Sequence, residues 1–362
     1  MDWASFIRTE LAVGATLTRG PDPVTIACFG DVRGEYDALG SGPGLADRSY
    51  RGLLEITGRD RAAWLHNLTT QEVRNLQAGE GAYAFALNVQ GRILFDLNIL
   101  VMPEAILIDL DRPFLATAGG HLDKYVLTED VHIHDRTEGY VRLGLAGDRA
   151  KTLCMDFGVP HAAAMAWLST GVATIEGVSI HCFRHDFCGV FGVELLVPAD
   201  RAVDIWKALS DSCRASGGGP IGYDAVDVRR IEAGLPWPVQ EITDEVLPAE
   251  TGQLDRAVSF TKGCYLGQEV VERMRSRGVV ARRLVGLRIA GDAVPPCGAE
   301  VRLDDGGRVG ALTSARHSFR EKGVIGLGYV KTASAVAGTR LHVAWGEAAA
   351  DAEVAALPFV GV

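Results

Sequence analysis

The spacing of apolar and polar residues along this chain predicts a protein that mixes strands and helices. Short apolar runs between polar turns predict strands at GLLEITG, AILIDLD and EDVHIHD. The longer run GAYAFALNVQGRILFDLNILVM predicts a hairpin that turns near residues 88–91. Before this hairpin, a short helix is predicted in which Trp64, Leu65 and Leu68 share one face. After the hairpin, PFLATAGGHLDKYVLT is predicted to be helical in its second half.

A second strand-rich stretch begins at YVRLGLAG and leads into two predicted helices. The first runs from about Asp200 to Ser212, where apolar residues recur at helical spacing. The second is GYDAVDVRRIEAGLPW, which Gly234 and Pro236 end. Residues 1–48 are predicted to form a helical start followed by a loop rich in glycine and proline.

The pattern changes after Arg283. Short strands recur with glycine turns, as in LVGLRIAG, GAEVRLDDGG, RVGALTSA, GVIGLGYVK and GTRLHVAWG. Strands of this length and spacing are typical of a small all-β barrel or sandwich. A domain boundary is therefore predicted near residues 280–284.

Composition narrows the class of protein. The chain has 362 residues, 48% of them hydrophobic, which is enough for packed cores in two or three domains. The formal net charge of −10 argues against a broad surface that coats nucleic acid. Charged or polar residues interrupt every apolar stretch before it reaches about eighteen residues, so no membrane span is predicted. The opening MDWASFIRTELAVG lacks the order of a signal peptide.

The seven cysteines are scattered, and no C-x-x-C pair occurs. An odd and scattered set is typical of a protein in a reducing compartment. A cytoplasmic protein without a disulfide framework is therefore predicted.

The segment HCFRHDFC suggests a zinc site because it contains His181, Cys182, His185 and Cys188. However, the segment alternates like a strand that leads into a hairpin. Cys182 would then face away from His181, and four ligands would not converge on one ion. No metal site is predicted.

One cysteine lies in an unusual setting, the stretch KGCYLGQEVVERMRSRG. Gly263 and Gly267 would let the backbone turn tightly around Cys264, and residues from about Gly267 to Arg275 have helical spacing. A thiol just before a helix N-terminus and near Lys262 would be favoured as the thiolate. The alternative is a small apolar side chain that fills a gap beside the helix.

The motif KGCYLGQE resembles the signature of the YgfZ-like folate-binding proteins, which are bacterial iron–sulfur cluster assembly and repair factors. They are relatives of the glycine-cleavage T-protein, an aminomethyltransferase. The resemblance covers nearly the whole chain, through DRSYRGLLEITGRDRAAWLHNLTTQEV, RRIEAGLPW, LPAETGQLDRAVSFTKGCYLGQEVVERMRSRG and GALTSARHSFREKGVIGLGYV. Its motif cysteine separates this branch from the T-proteins proper.

The resemblance implies an α+β fold with three modules in a ring. Two mixed α/β modules would surround a central hole that holds tetrahydrofolate, and a small β-barrel would follow at the C-terminus. The predicted domains are a folate-binding body over 1–281, built of two interleaved α+β modules, and a barrel over 282–362.

The resemblance also implies that Glu194 and Arg230 bind folate. Glu194 in FGVELLVP matches the family's pterin-gripping glutamate, and a carboxylate can accept two N–H donors from an aminopterin edge. Without the family, Glu194 would be interpreted as a charged residue at a strand edge. Arg230 of the R-x-E-x-G motif would hold the glutamate tail of folate or pair internally with Glu232.

Three further candidates for folate binding lie nearer the cysteine motif. Glu250 in PAE belongs to the family pattern, although it could equally fix a loop. Lys262 and Tyr265 lie within the motif itself.

The chain departs from the T-protein at the acidic catalytic site. There, a hairpin of the form N-x-x-G-G-I-x-D-D ends in two aspartates, whereas this chain reads NVQGRILFDL. Phe95 replaces the first acid and Asp96 alone remains. The family's asparagine after the next strand is also not evident in ILIDLDRPFL. Because aminomethyl transfer needs an acid or base at the reacting nitrogen, Asp96 and Cys264 are the two candidate catalytic residues.

Two functions follow from this resemblance. The first is a tetrahydrofolate-binding factor that uses the Cys264 thiol to support assembly or repair of iron–sulfur enzymes, including those that modify tRNA. Its partners would be these clients or the assembly machinery. The alternative is a tetrahydrofolate-dependent aminomethyl- or methyltransferase, with Asp96 near the transferred carbon. A module of a sarcosine- or dimethylglycine-type oxidase is disfavoured because the N-terminus has no G-x-G-x-x-G fingerprint.

Overall fold

A computed structural model describes residues 3–11, 14–17, 25–159, 162–278 and 280–359 of the chain. The α-helices are α1 Trp3–Leu11, α2 Val32–Ser41, α3 Arg61–Leu68, α4 Leu115–Asp123, α5 Ala150–Asp156, α6 Ala202–Ala215, α7 Tyr223–Glu232, α8 Leu254–Ala257 and α9 Gln268–Arg277. Short 3-10 helices are Arg112–Phe114, Thr137–Gly139, Ala162–Ala164, Ala199–Arg201, Pro248–Glu250 and Thr332–Ser334.

The strands form two large sheets, a small two-stranded sheet and a barrel. They are β1 Thr16–Leu17, β2 Ile26–Cys28, β3 Gly44–Asp47, β4 Arg51–Thr57, β5 Gly81–Leu87, β6 Ile93–Val101, β7 Ile106–Asp111, β8 His132–Asp135, β9 Tyr140–Ala146, β10 Thr170–Ile175, β11 Val178–Arg184, β12 Gly192–Pro198, β13 Gly219–Ile221, β14 Arg282–Ile289, β15 Glu300–Arg302, β16 Arg308–Ser318, β17 Gly323–Lys331, β18 Arg340–Trp345 and β19 Ala348–Ala355. The sheet orders are β1-β2, β5-β6-β7-β4-β8 and β10-β11-β12-β9-β3-β13, and the closed barrel is β14-β17-β16-β15-β18-β19.

The described residues divide into two compact units. The first contains residues 1–66, 72–83 and 97–226, and the second contains 67–71, 84–96 and 227–362. The predicted division into 1–281 and 282–362 stays a prediction. No helix in the described ranges combines the length and apolar character that crossing a membrane requires.

Most elements predicted from apolar spacing are confirmed. The hairpin of β5 and β6 turns at Asn88, whose carbonyl accepts the N–H of Gly91 at 2.9 Å. Helices α6 and α7 lie within a few residues of their predicted bounds. The C-terminal strands form a closed barrel, which decides between the barrel and sandwich alternatives.

The prediction of a glycine- and proline-rich loop up to residue 48 is wrong. Residues 32–41 form α2, whose N-cap Asp31 accepts hydrogen bonds from two backbone N–H groups. Residues 44–47 form β3, which is buried along its whole length. It pairs antiparallel with β9 and parallel with β13. Ladder hydrogen bonds to distant strands outweigh the weak intrinsic strand preference of this segment.

Helix α6 provides much of the apolar core of the first unit. Ile205, Trp206, Leu209 and Cys213 follow helical spacing and are buried. The Trp206 ring contacts Phe6 edge-on, with ring centroids 5.8 Å apart. This face packs against apolar side chains of the six-stranded sheet in one cluster. The packing holds in place β9 and β12, which also carry the charged residues Arg142 and Glu194.

The barrel of the second unit encloses its own apolar core, formed by alternating residues such as Leu287, Val301 and Val343. The pairing of β16 with β17 shifts register between Leu312 and Ser314. A bulge of this kind re-aims consecutive side chains.

Candidate functional site

Glu194 lies in the middle of β12, between apolar neighbours, and its side chain is 0% exposed. Strand β12 lies between β11 and β9, so Glu194 faces Phe183 on one side and Gly144 on the other. The alternative of a charged residue at an exposed strand edge is therefore wrong. Ionised carboxylates are rarely buried in this way unless charged partners surround them.

Six charged or titratable side chains of the first unit form a continuous buried cluster, here called the Glu194 network. It consists of Arg48, Arg51, Asp109, Arg142, His185 and Glu194. Arg142 Nη1 lies 2.7 Å from Asp109 and 3.1 Å from Glu194. Arg48 Nη2 donates to Glu194 at 3.1 Å, and Arg51 binds Asp109 through two nitrogens. The network thus joins β7 of one large sheet to β9 and β12 of the other.

His185 completes the network at Glu194. Its Nδ1 atom lies 2.5 Å from Glu194 Oε1. Strand β11 ends at Arg184, and the backbone N–H of His185 donates to the carbonyl of Gly192 at 2.9 Å. This turn between β11 and β12 brings the imidazole next to Glu194, nine residues further along the chain.

The network keeps its carboxylates ionised and its imidazole neutral. Burial alone would raise the pKa of Glu194, but Arg48 and His185 hold it well below the usual range. Burial also acts to raise the pKa of Asp109. The charges of Arg51 and Arg142 outweigh this effect and keep the pKa of Asp109 below its usual value. Desolvation lowers the pKa of His185, against the opposing effect of Glu194.

Aromatic rings cover the cationic side of the network. The guanidinium of Arg48 lies 4.3 Å from the centroid of the Phe187 ring, and that of Arg142 lies 5.2 Å from Phe183. Gly144 leaves room for this arrangement, because a Cβ atom there would approach Phe187 to 2.8 Å and Arg48 to 3.2 Å. The site therefore combines ion pairs with flat apolar surfaces.

Sequence reasoning found Glu194 but missed the partners of its carboxylate. His185 was considered only as a zinc ligand, and within the described ranges no group of three or more His, Cys, Asp or Glu side chains is arranged to hold a metal ion. A usable signal did exist for Arg142 and Asp109. Each is a lone charged residue inside an otherwise apolar strand, YVRLGLA or ILIDLD, and a buried charge requires a partner.

The remaining candidates lie in the second unit. Cys264 is exposed, and helix α9 begins four residues later at Gln268. Gly267 has a φ of +82°, and a Cβ atom there would lie 2.7 Å from the carbonyl oxygen of Asn88. The tight turn expected at Gly267 is therefore confirmed, and glycine is required at this position.

Lys262 and Tyr265 pack together beside Cys264. The Lys262 ammonium donates to the carbonyls of Thr69 at 2.6 Å and Gln71 at 2.7 Å. It also lies 5.1 Å from the centroid of the Tyr265 ring. Both side chains are buried, so these contacts fix the loop that presents Cys264. Their predicted contact with folate stays a prediction.

Glu250 and Asp96 are both buried. Glu250 accepts hydrogen bonds from the backbone N–H of Leu247 at 3.0 Å and from Arg282 at 3.1 Å. These contacts fix a loop, as one of the two alternatives for Glu250 requires. Asp96 lies in β6, and its role as an acid at the reacting carbon stays a prediction.

Arg230 is 0% exposed and forms internal ion pairs with Asp227 and Glu241. Its Nε atom donates to Asp227 at 2.6 Å, and Nη1 donates to Glu241 at 2.7 Å. Glu232 accepts a hydrogen bond from the Ser318 hydroxyl at 2.5 Å, and its predicted pairing with Arg230 stays a prediction. The bulge in β16 presents Ser314 and its neighbour to Glu241, so this buried pair joins α7 to the barrel.

The described cysteines differ widely in exposure, and Cys264 is exposed. Cys297 is also exposed and lies in the turn that leads into β15. Cys154, Cys182 and Cys213 are buried, and desolvation raises the pKa of each thiol to about 12.

The architecture of two mixed α/β sheets followed by a closed six-stranded barrel defines a T-protein-like fold. The crystal structure of the glycine cleavage system aminomethyltransferase T from Bartonella henselae matches this chain with a TM-score of 0.85. The match covers 98% of this chain and 96% of that chain, at 22% sequence identity. It establishes the fold.

The chain belongs to the glycine cleavage T-protein family. Residues 23–262 match the GCVT N-terminal domain, and residues 282–361 match the glycine cleavage T-protein C-terminal barrel domain. The predicted relationship to the T-protein is thereby confirmed, while membership of the YgfZ-like branch stays a prediction.

Several relatives are similar to this chain over most of their length. A chloroplastic protein of Arabidopsis thaliana, At1g60990, is 29% identical over 308 residues, which are 85% of this chain and 69% of that protein. The aminomethyltransferase of Halalkalibacterium halodurans is 28% identical over 338 residues, covering 91% and 90% of the two chains. The aminomethyltransferase of Bacillus subtilis is 27% identical over 339 residues, covering 91% of each.

Proposed function

We propose that this chain binds a reduced folate through its first unit and transfers a one-carbon group, as an aminomethyl- or methyltransferase. Family membership and the aminomethyltransferases among its relatives support this proposal. The observation that carries it is the Glu194 network. Here an ionised carboxylate is held in the protein interior by cations and an imidazole.

The chemistry of the network suits a flat heterocycle that carries N–H donors. An ionised carboxylate accepts such hydrogen bonds more strongly than a neutral oxygen does. Phe183 and Phe187 add apolar ring surface close to the charged groups, and flat conjugated rings pack well against such surfaces. A pterin has both properties, which supports tetrahydrofolate as the ligand.

Glu194→Gln is expected to weaken tetrahydrofolate binding at least about tenfold. The change preserves the shape of the side chain but removes the charge, and losing one partner of a buried charged pair costs about 2–5 kcal/mol. Isothermal titration calorimetry of both proteins measures the effect. Glu55→Gln is the matched control, because Glu55 forms an exposed pair with Arg136 in the same unit. Equal affinities of wild type and Glu194→Gln would remove Glu194 from the folate site.

One-carbon transfer itself needs a turnover measurement. Wild-type protein is incubated with tetrahydrofolate and either an aminomethyl donor or a methylated amine, and the one-carbon folate is quantified by mass spectrometry. We expect formation above the rate without protein. Folate binding without turnover on any donor would favour the second candidate function.

The second candidate is a folate-binding factor that supports iron–sulfur enzymes through Cys264. The observation that favours it is an exposed thiol within KGCYLGQE, the motif that resembles the YgfZ-like branch. The buried contacts of Lys262 and Tyr265 hold the loop on which this thiol lies.

Cys264→Ala is expected to abolish rescue of a strain that lacks its own homologue, while tetrahydrofolate affinity and melting temperature stay close to wild type. An exposed side chain contributes little to packing, so lost rescue would report lost thiol chemistry. Iodoacetamide labelling at neutral pH, followed for each cysteine by mass spectrometry, should show Cys264 reacting faster than the buried Cys154 and Cys213.

Cys297→Ala provides the control for this experiment, because Cys297 is also an exposed thiol in the same unit. It should rescue the strain fully. Full rescue by Cys264→Ala as well would show that the motif cysteine has no role in supporting iron–sulfur enzymes.

A further inference from the structure

A cavity of about 500 Å³ lies in the second unit, beside the barrel. One wall is the loop of residues 240–246, and the other is formed by β16 and the end of β17 together with Arg282 and Cys297. Its volume is within the range of about 300–1,000 Å³ that is typical of sites for small ligands. Its described lining residues all belong to the second unit and include none of the Glu194 network. We call it the Lys331 cavity.

Three cationic side chains line the Lys331 cavity, namely Arg282, Arg308 and Lys331. Arg282 and Lys331 are directly opposite each other in the antiparallel pair of β14 and β17. Like charges in that position repel and destabilise a sheet, and an anion bound beside them would offset the repulsion. This local group of cations occurs in a chain whose formal net charge is −10.

Lys331 is the cation of the cavity that lacks an acidic partner. Arg282 Nε donates to Glu250 at 3.1 Å, and Arg308 Nη1 lies 3.4 Å from Glu300. No described residue lies within ion-pairing distance of the Lys331 ammonium, and this side chain is exposed. Its charge is therefore free to attract a bound anion.

Two carboxylates also line the cavity, but they do not cancel its cations. Glu241 is buried and already bound, since it accepts from Arg230 at 2.7 Å and from the hydroxyls of Thr313 and Ser314 at 2.8 Å and 2.6 Å. Glu245 is exposed to solvent, where water screens its charge. The balance of charge at the cavity thus favours an anionic ligand.

Much of the remaining lining is apolar. It includes Val246, Val309, Ala311 and the ring of Tyr329. The guanidinium of Arg282 lies 5.0 Å from the centroid of the Tyr329 ring. A ligand that fills this space should therefore carry an apolar or aromatic body as well as its negative charge.

The loop that forms one wall is strained beside its first lining residue. Val239 has a φ of +69°, which β-branched residues rarely adopt. The loop is held in this form by the Tyr329 hydroxyl, which donates to the Glu241 carbonyl at 2.9 Å, and by the Glu241 N–H, which donates to the Trp237 carbonyl at 2.9 Å. Strain of this kind persists where the surrounding contacts impose it, and it is concentrated at ligand clamps and active sites.

We propose that the Lys331 cavity binds a small amphipathic anion, in which a carboxylate or phosphate group is joined to an apolar or aromatic body. Lys331 and Arg308 hold the anionic group, and the apolar lining holds the body. This proposal does not depend on the proposed function, and its failure would leave that function intact. The competing interpretation is a recess filled with water, whose cations are solvated and bind nothing.

Cys297 provides a reporter for the test, because it lines the cavity and is exposed. The full-length protein is labelled with iodoacetamide in the presence of phenyl phosphate, benzoate, benzyl alcohol or inorganic phosphate, and each cysteine is followed by mass spectrometry. We expect phenyl phosphate or benzoate to slow labelling of Cys297. Labelling of Cys264, an exposed thiol of the same unit outside the described lining, should not change. Benzyl alcohol lacks the charge and inorganic phosphate lacks the ring, so both should protect less.

Lys331→Met is expected to weaken binding of the protecting anion about fivefold to tenfold, because the anionic group loses a charged partner. Isothermal titration calorimetry measures the affinities, and circular dichroism shows that each variant is folded. Lys331→Arg keeps the charge and should keep most of the affinity. Lys322→Met is the matched control, since Lys322 is an exposed lysine of the same unit outside the described lining, and it should bind the anion as wild type does.

Protection that is confined to Cys297, needs both ring and charge, and is weakened in Lys331→Met would support the proposal. A preference for phenyl phosphate or for benzoate would then identify the anionic group. The proposal would be overturned if neither aromatic anion protects Cys297, if Cys264 is protected equally, or if Lys331→Met binds as tightly as wild type. Equal protection by inorganic phosphate or by benzyl alcohol would also overturn it, since the ring or the charge would then contribute nothing.

Discussion

Arg142→Met is expected to lower the free energy of unfolding by about 3–5 kcal/mol, because it removes the shared cation of two buried carboxylates. Arg142 lies 2.7 Å from Asp109 and 3.1 Å from Glu194, and both carboxylates are 0% exposed. Methionine fills part of the space but supplies no charge, so two buried anions lose a partner at once. Urea unfolding at pH 7, followed by circular dichroism, measures the loss.

The same variant should unfold at higher pH during acid titration. The pKa values of Glu194 and Asp109 are lowered in the folded protein. The stabilisation that these two carboxylates give the folded protein is therefore complete above about pH 4, the usual pKa of a carboxyl group in an unfolded chain. It is lost as pH falls through their lower pKa values in the folded protein. Without Arg142 the pKa values of Glu194 and Asp109 in the folded protein rise, so their protonation and the loss of stability begin at higher pH.

Arg136→Met is the control, because Arg136 forms an exposed pair with Glu55 in the same unit. Exposed pairs contribute about 0–1 kcal/mol. If Arg142→Met were as mild as this control, and its acid midpoint were unchanged, the Glu194 network would not be the stabilising ion cluster described above.

Arg230→Met is expected to have a comparably large effect on the second unit, about 3–5 kcal/mol. Arg230 is 0% exposed and pairs with Asp227 and with Glu241, which is itself 0% exposed. Glu241 also accepts from hydroxyl groups of the barrel. Loss of the guanidinium should therefore loosen the packing of α7 on the barrel, measurable by hydrogen exchange of the barrel amides.

This variant also separates the two predicted roles of Arg230. An arginine committed to internal pairs should leave tetrahydrofolate affinity within about threefold of wild type. An arginine that holds the glutamate tail should cost affinity for tetrahydrofolate by at least about tenfold. Arg288→Met is the control, since Arg288 pairs with Glu321 at the surface of the same unit, and it should change neither quantity appreciably.

The local spacing of apolar residues predicted a strand or helix correctly where the element depends mainly on its own residues. Apolar alternation predicted the hairpin of β5 and β6, and helical spacing predicted α6, because each pattern directly reflects which face of the element is buried. The β3 segment was missed for the opposite reason. Its glycines and proline disfavour a strand locally, and the hydrogen bonds that stabilise β3 come from β9 and β13, which are distant in sequence.

The sequence by itself determined the family, the order of most elements and the identity of Glu194 as a candidate site residue. Only the tertiary structure decided what surrounds Glu194. Arg48 lies 146 residues away from Glu194 in sequence and Arg142 lies 52 residues away, and no local spacing connects them. Arg142 and Glu194 meet because sheet pairing brings β9 and β12 side by side, and Arg48 joins them because β3, which ends next to it, pairs with β9. Burial then requires each charge to have a partner, and Arg48, Arg142 and His185 supply the partners of Glu194.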